Sequence, residues 1–153
     1  MSNQSMSFKG LRLLVVDNDF DTRTLLTYLF ELGGAEIMTA TSVAEAIAIM
    51  SFFKPDILIS DIYLPNEDGY SLILKVKNLE TKRGRKIPAI ALTAYPYEEY
   101  RYIARMLGYD LYLLKPIDLD ELAFIVASLT GIDNTPEILG CKNAEASKQE
   151  NFN

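Results

Sequence analysis

Four short apolar runs set what this chain can become. Leu13–Val16 runs into Asp17, Ile57–Ser60 into Asp61, Ile90–Leu92 into Thr93, and Leu111–Leu114 into Lys115 and Pro116. Runs of this length, separated by stretches of helical periodicity, read as buried strands of a parallel sheet. Parallel strands bring their C-terminal ends to one edge, which is where ligands bind in open α/β folds. Two carboxylates, a hydroxyl and an ammonium should therefore converge on one site.

The intervening stretches support that reading. Leu11–Val16 is the first strand, and Leu25, Leu26, Leu29 and Phe30 recur at helical spacing, predicting a helix over Phe20–Leu32 that Gly33 and Gly34 stop. A strand over Glu36–Ala40 follows. Ser42 and Glu45 form a capping box for a second helix with Val43, Ala46, Ile47, Met50 and Phe53 inward, ended by Pro55. After the third strand, Tyr63–Gly69 is a loop rich in turn formers. A third helix is predicted over Tyr70–Glu80, with Leu72, Ile73, Val76 and Leu79 buried, then a basic turn, Lys82–Lys86. Ile87–Thr93 is the fourth strand, with Pro88 near its start. Pro96 is placed as a first helical residue of a helix running to Leu107, with Tyr100, Ile103 and Leu107 inward. Leu111–Leu114 is the fifth strand, and Asp118 and Glu121 cap a last helix, ended by Gly131, with Leu122, Ile125, Val126 and Leu129 inward. Five strands alternating with five helices, joined by right-handed crossovers, give an α/β fold: a doubly wound five-stranded parallel sheet in a flavodoxin-like three-layer sandwich. It occupies residues 10–131, after a flexible N-terminus (1–9) and before a polar, aperiodic tail (132–153) expected to be disordered.

Composition narrows the function. The chain has 153 residues, and its 49% hydrophobic content supplies a core for one domain. A net charge of −6 argues against direct nucleic-acid binding or an anionic membrane surface, and the basic turn reads as solvated. There is no histidine, so the commonest general base is missing. The single cysteine, Cys141, excludes an internal disulfide. No signal-peptide core and no apolar run near the roughly 20 residues of a membrane span are present, so a cytoplasmic location is expected.

Asp17-Asn18-Asp19 is a cluster of hard oxygen ligands suited to Mg²⁺. A carboxylate at Asp61 suits nucleophilic attack on phosphorus, Thr93 offers a hydroxyl to a phosphoryl oxygen, and Lys115 a compact positive charge. Each has an ordinary reading alone: the aspartates as helix caps, the threonine as a strand-end hydroxyl, the lysine as a solvated terminus. Their joint placement favours phosphoryl transfer, which asks a protein mainly for positioning and charge neutralisation.

These stretches, together with Asp61–Gly69, Leu92-Thr93-Ala94 and Lys115-Pro116, resemble the receiver domains of two-component response regulators, in particular the stand-alone chemotaxis type. The resemblance implies that Asp61 accepts a phosphoryl group from a histidine kinase or phosphotransfer protein. It implies that Asp17, Asn18, Asp61 and the Tyr63 carbonyl surround Mg²⁺, that Thr93 and Tyr112 form a switch pair, and that the bond to Pro116 is cis. The chain would then be a phosphoacceptor with slow autodephosphorylation rather than an enzyme. Having no appended output domain, it would act on a protein target through its fourth helix, fifth strand and fifth helix, or as a homodimer. The family usually has a second acid where this chain has Asn18, which should weaken Mg²⁺ binding unless Asp19 compensates.

Tyr95, Tyr97, Tyr100, Tyr102, Tyr109 and Tyr112 crowd one region, as expected of a partner surface. Tyr63 and Tyr95, each two residues past a site residue, should shield an acyl phosphate from water. Two rival readings remain. One is a receiver-fold interaction module that works without phosphate. The other is a phosphatase of haloacid-dehalogenase type with Asp17 as nucleophile, against which stand the absence of a cap domain, the short length and the lack of an acidic pair after Lys115.

Overall fold

The computed structural model describes residues 6–132; most of the expected tail, with Cys141, lies outside the described residues. Strands and helices alternate as β1 (Arg12–Val16), α1 (Phe20–Leu32), β2 (Glu36–Ala40), α2 (Val43–Met50), β3 (Ile57–Asp61), α3 (Gly69–Arg83), β4 (Ala89–Thr93), α4 (Glu98–Leu107), β5 (Leu111–Leu114) and α5 (Leu119–Thr130). The sheet order is β2-β1-β3-β4-β5, and every pairing is parallel. All residues of β3 and β4 are buried, so helices cover both faces of the sheet. Fully burying a Leu or Ile side chain is worth about 1.5–3 kcal/mol, and Leu13, Leu14, Leu26, Ile57, Leu58, Ile59, Leu72 and Ile73 are all fully buried.

Local chemistry sets the element ends. Asp19, Ser42, Asp68 and Asp118 each accept a backbone N–H of the first turn of the helix they precede. The Glu45 carboxylate reaches back to the Thr41 N–H and hydroxyl, one residue earlier than a closed capping box would place it. Met50 ends α2 well before Pro55, and Ile49 is buried where Ile47 is half-buried.

The third helix continues past Glu80 to Arg83. Lys82 and Arg83 suit its negative end, and Gly84 closes it with φ 66°, a left-handed conformation that favours glycine. The basic run is therefore half helix, half connection. The fourth strand begins at Ala89: Pro88 has no N–H for the ladder, although its carbonyl accepts from Leu58. The fourth helix begins at Glu98, not Pro96, because Tyr97 is extended; Glu98 and Glu99 complement its positive end. Ile103 is exposed rather than packed inward. Leu25 also faces out, in a stripe with Phe20, Tyr28 and Leu32.

The boundaries shift as well. Phe8, placed in a flexible N-terminus, is 2% exposed, packs edge-on against Phe30 at 5.1 Å, and donates its N–H to the Gly33 carbonyl at 2.7 Å. Ile132, placed in the tail, packs against the core and donates to the Ala127 carbonyl.

Candidate functional site

Sheet register assembles the site. Val16 pairs with Ser60, so Asp17 and the strand-end Asp61 sit side by side at the carboxyl edge. Thr93 ends β4, pairs with Leu114, and accepts the Lys115 N–H on its carbonyl at 2.8 Å. The site lies where the sheet order reverses about β1 and β3, the position at which open α/β sheets bind ligands.

Charge is concentrated there. The Lys115 ammonium lies 2.9 Å from Asp17 Oδ2 and 2.8 Å from Asp61 Oδ2, with its side chain largely covered. Asp17 is 1% exposed, and its Oδ2 has the ammonium as a charge neighbour but no well-directed hydrogen bond. Burial pushes the Asp17 carboxyl above its ordinary value, although Lys115 and the Asp19 N–H pull against this. Desolvation lowers the Lys115 pKa, but the hydrogen bond to Asp61 and the charge of the Asp17 carboxylate beside it outweigh this and the ammonium ends above its ordinary value. Asp61 Oδ1 accepts the Tyr63 N–H at 2.9 Å, and Thr93 Oγ accepts the Tyr95 N–H at 3.1 Å. The Lys115–Pro116 peptide is cis. Tyr112 is buried, and its hydroxyl donates to the Tyr95 carbonyl at 3.0 Å. Burial raises its pKa, while a hydrogen bond with Thr93 opposes the rise.

The metal-ligand set is only partly gathered. Asn18 is exposed beside Asp17. Asp19 is turned away: its Oδ2 accepts from the Thr22 hydroxyl at 2.6 Å and the Thr22 N–H at 3.2 Å, which lowers its pKa. It therefore caps α1 and does not stand in for the missing acid. Among the described residues no three acidic, histidine or cysteine side chains cluster for a metal. The cleft still fits a hard cation, because Asp17 Oδ2 is a buried carboxylate oxygen lacking a directed donor. Asp17 and Asp61 would supply charge, and Asn18 and the Tyr63 carbonyl neutral oxygens.

Two supporting residues escaped the sequence reading. Arg23 donates through Nη1 to the Asp17 carbonyl at 2.8 Å and holds the strand end against α1. Its position six residues past Asp17, one turn into the helix, was the available signal. Tyr109, grouped with the surface tyrosines, is instead 2% exposed and donates its hydroxyl to the Gly69 carbonyl at 2.8 Å. Burial raises its pKa.

The remaining tyrosines form a connected wall. Tyr63 and Tyr95 meet at 4.5 Å between ring centroids, Tyr95 stacks on Tyr97 at 6.3 Å, and Tyr100 contacts Tyr97 at 5.2 Å and Tyr63 at 5.9 Å. Tyr70 donates to the Tyr100 carbonyl at 3.2 Å. Desolvation raises Tyr63 and pushes Tyr70 up to about 12. Tyr63, Tyr95 and Tyr97 remain about half exposed.

The family model for the response regulator receiver domain matches residues 13–127. The chain belongs to the response regulator receiver family. A protein of 14.6 kDa from Leptolyngbya boryana is 43% identical over 114 residues, covering 74% of this chain and 86% of that one. Other curated relatives are longer, and the chain spans 8% to 63% of their length. Among solved structures, a two-component response regulator from Clostridium difficile superposes with a TM-score of 0.74 at 28% identity, covering 82% of this chain and 99% of that one. The receiver domain of Saccharomyces cerevisiae Ssk1, crystallised with the histidine phosphotransfer protein Ypd1, shares the fold with a TM-score of 0.72 at 20% identity, covering 78% of this chain and 88% of that one. Receiver domains are signalling domains rather than enzymes in the usual sense, and they generally bind Mg²⁺ at their acidic pocket.

One consequence of Asn18 follows directly. Asn18→Asp should tighten Mg²⁺ binding by roughly fivefold or more, since a charge within about 4 Å of a cation is worth at least ~1 kcal/mol. It should lower metal-free stability, because a third carboxylate would then face the cleft. Calorimetric Mg²⁺ titration and thermal melting of both proteins check the two halves, and equal or weaker affinity refutes the first.

Proposed function

We propose that this receiver domain is a phospho-activated switch in which Asp61 accepts a phosphoryl group from a histidine kinase or a phosphotransfer protein. The observation that carries this reading is the Lys115 ammonium lodged between Asp17 and Asp61 at the carboxyl edge of the sheet, where the buried Thr93 ends the neighbouring strand. An Asp61 carboxylate oxygen attacks phosphorus while the P–N bond of the donor's phosphohistidine breaks, and the imidazole leaves with the bonding pair. Lys115 and Thr93 are placed to pair with the incoming oxygens. A bound Mg²⁺ would neutralise further phosphoryl charge, held by Asp17, Asp61, Asn18 and the Tyr63 carbonyl. The covered Ssk1–Ypd1 pair supports a phosphotransfer protein as donor class. Mg²⁺-dependent labelling by a small phosphodonor, lost in Asp61→Asn, tests the reading. Labelling that survives the substitution overturns it.

Output follows from the same geometry. Thr93 and Tyr112 are the switch pair, linked through the Tyr95 backbone. The outward face of α4 and β5, with Tyr102, Ile103, Met106 and Leu114 exposed, is the surface offered to a protein target or a second copy. A cytoplasmic location fits this role; no described helix is long and apolar enough to cross a membrane.

The signal should be long-lived. Hydrolysis requires water in line with the Asp61–phosphorus bond, and the packed rings of Tyr63 and Tyr95, each two residues past a site residue, would crowd that approach while offering neither an acid nor an amide to orient water. The double variant Tyr63→Asn, Tyr95→Ala should lose phosphate several-fold faster. An unchanged decay rate would rule shielding out.

A further inference from the structure

Helix α5 is buried in every direction. Six consecutive residues, Leu122–Ala127, are buried, and six residues at about 100° each pass round the whole helix. Leu122, Ile125 and Val126 belong to the core and set the inward side. Phe124 lies roughly 150° round the helix from that side, yet it is only 5% exposed. Alone among the described buried apolar residues, it stands outside the core cluster. One turn before it and one turn after it on the same face, Asp120 and Ser128 are exposed. A helix on an open sheet ordinarily leaves this side to water. What covers α5 is therefore narrow and crosses the helix at Phe124.

The chain itself supplies a fitting occupant. Gly131 closes α5 with φ 77°, and the Ile132 N–H reaches back to the Ala127 carbonyl at 3.1 Å, which turns the backbone away from the helix axis. Beyond it, Ile138-Leu139 is the one pair of adjacent large apolar residues in 133–153, and it lies past the family match, which ends at residue 127. Phe124 is about 12 Å back along the helix from Ile132, at ~1.5 Å per residue. The stretch from Ile132 to Ile138 can span up to about 20 Å, at ~3.3 Å per residue. The pair therefore reaches Phe124 with chain to spare.

We propose that Ile138 and Leu139 dock on Phe124, Ala123 and Ala127, so that the segment after α5 occupies that helix's share of the output face. A protein target or a second copy reaching for α5 has to displace this segment first, whereas Tyr102, Ile103, Met106 and Leu114 on α4 and β5 stay open to it. The docking does not depend on phosphorylation of Asp61, and it stands or falls separately from the phosphoacceptor reading.

The single cysteine, Cys141, two residues past Leu139, takes a nitroxide label in the full chain. Amide NMR should then show paramagnetic broadening that is strongest over Ala123–Ser128 and fades towards β2, at the far edge of the sheet. The double variant Ile138→Ser, Leu139→Ser should cut that broadening at least about fivefold, because both apolar side chains of the docked pair are lost. Spin-labelled chain lacking ¹⁵N, mixed with unlabelled ¹⁵N chain, should broaden none of these amides. The proposal fails if the broadening is spread evenly or centres away from α5, or if the double variant keeps it. It also fails if the mixed sample shows it over α5, which would make a second copy the occupant.

Discussion

Lys115→Ala should slow phosphorylation of Asp61 by about 10²–10³-fold, the usual cost of removing one preorganised charge-stabilising group. The ammonium touches both site carboxylates, at 2.8 and 2.9 Å, so no neighbour can take over its role. The variant should also be less stable by about 1–2 kcal/mol at neutral pH, because two close carboxylates lose their shared counter-ion. The pH dependence gives the sign. Burial already raises Asp17 above its unfolded value of 3.8, so the folded chain holds that proton more tightly. Such a group favours folding below the unfolded pKa, and that stability is lost as pH rises through the folded one. Without Lys115 the folded pKa climbs further. The deficit of Lys115→Ala relative to wild type should therefore shrink as pH falls from 7 towards the acid range. Denaturant midpoints across that range, with phosphodonor kinetics at neutral pH, check both parts.

Gly69→Ala should cost about 3 kcal/mol, or roughly 10 °C in melting temperature. The reason is close approach rather than a special φ. A Cβ at Gly69 would lie 2.5 Å from the Asp61 carbonyl oxygen, 2.9 Å from Ile62 Cα and 3.1 Å from the Tyr109 hydroxyl. Two of these are main-chain atoms of the strand end that carries the phosphoacceptor, so relief would have to move the site itself. Tyr109 would also lose its seat on the Gly69 carbonyl. A melting temperature within 2–3 °C of wild type, with unchanged phosphorylation, would contradict this.

Much of this was legible in the sequence because strand ends and chemistry coincide. Apolar runs of three or four residues that stop on Asp61, Thr93 and Lys115 leave little freedom in strand position, and β2, β5 and α1 span the residues expected from periodicity. What escaped was decided by tertiary contact. Asp19 looks like a metal ligand until Thr22 is seen to claim its carboxylate. Tyr109 and Tyr102 are both tyrosines of the same stretch, yet Tyr109, past the end of α4, fills the core with its hydroxyl on the Gly69 carbonyl, while Tyr102 within α4 is 66% exposed. Phe8 lies in a polar segment whose one aromatic finds Phe30. Helix ends near prolines and cations, at Pro96 and Lys82, moved by two or three residues because local capping and dipole effects differ by only about 1 kcal/mol between adjacent positions.

The central claim is that Asp61, and no other carboxylate, carries the phosphoryl group. Borohydride reduces an acyl phosphate to the alcohol, converting the modified aspartate to homoserine. After phosphodonor treatment in Mg²⁺ and borohydride reduction, peptide mass spectrometry should find homoserine at position 61 alone. Homoserine at position 17 would favour the Asp17-nucleophile phosphatase, and its absence from every position would favour an interaction module that works without phosphate; either result contradicts the account.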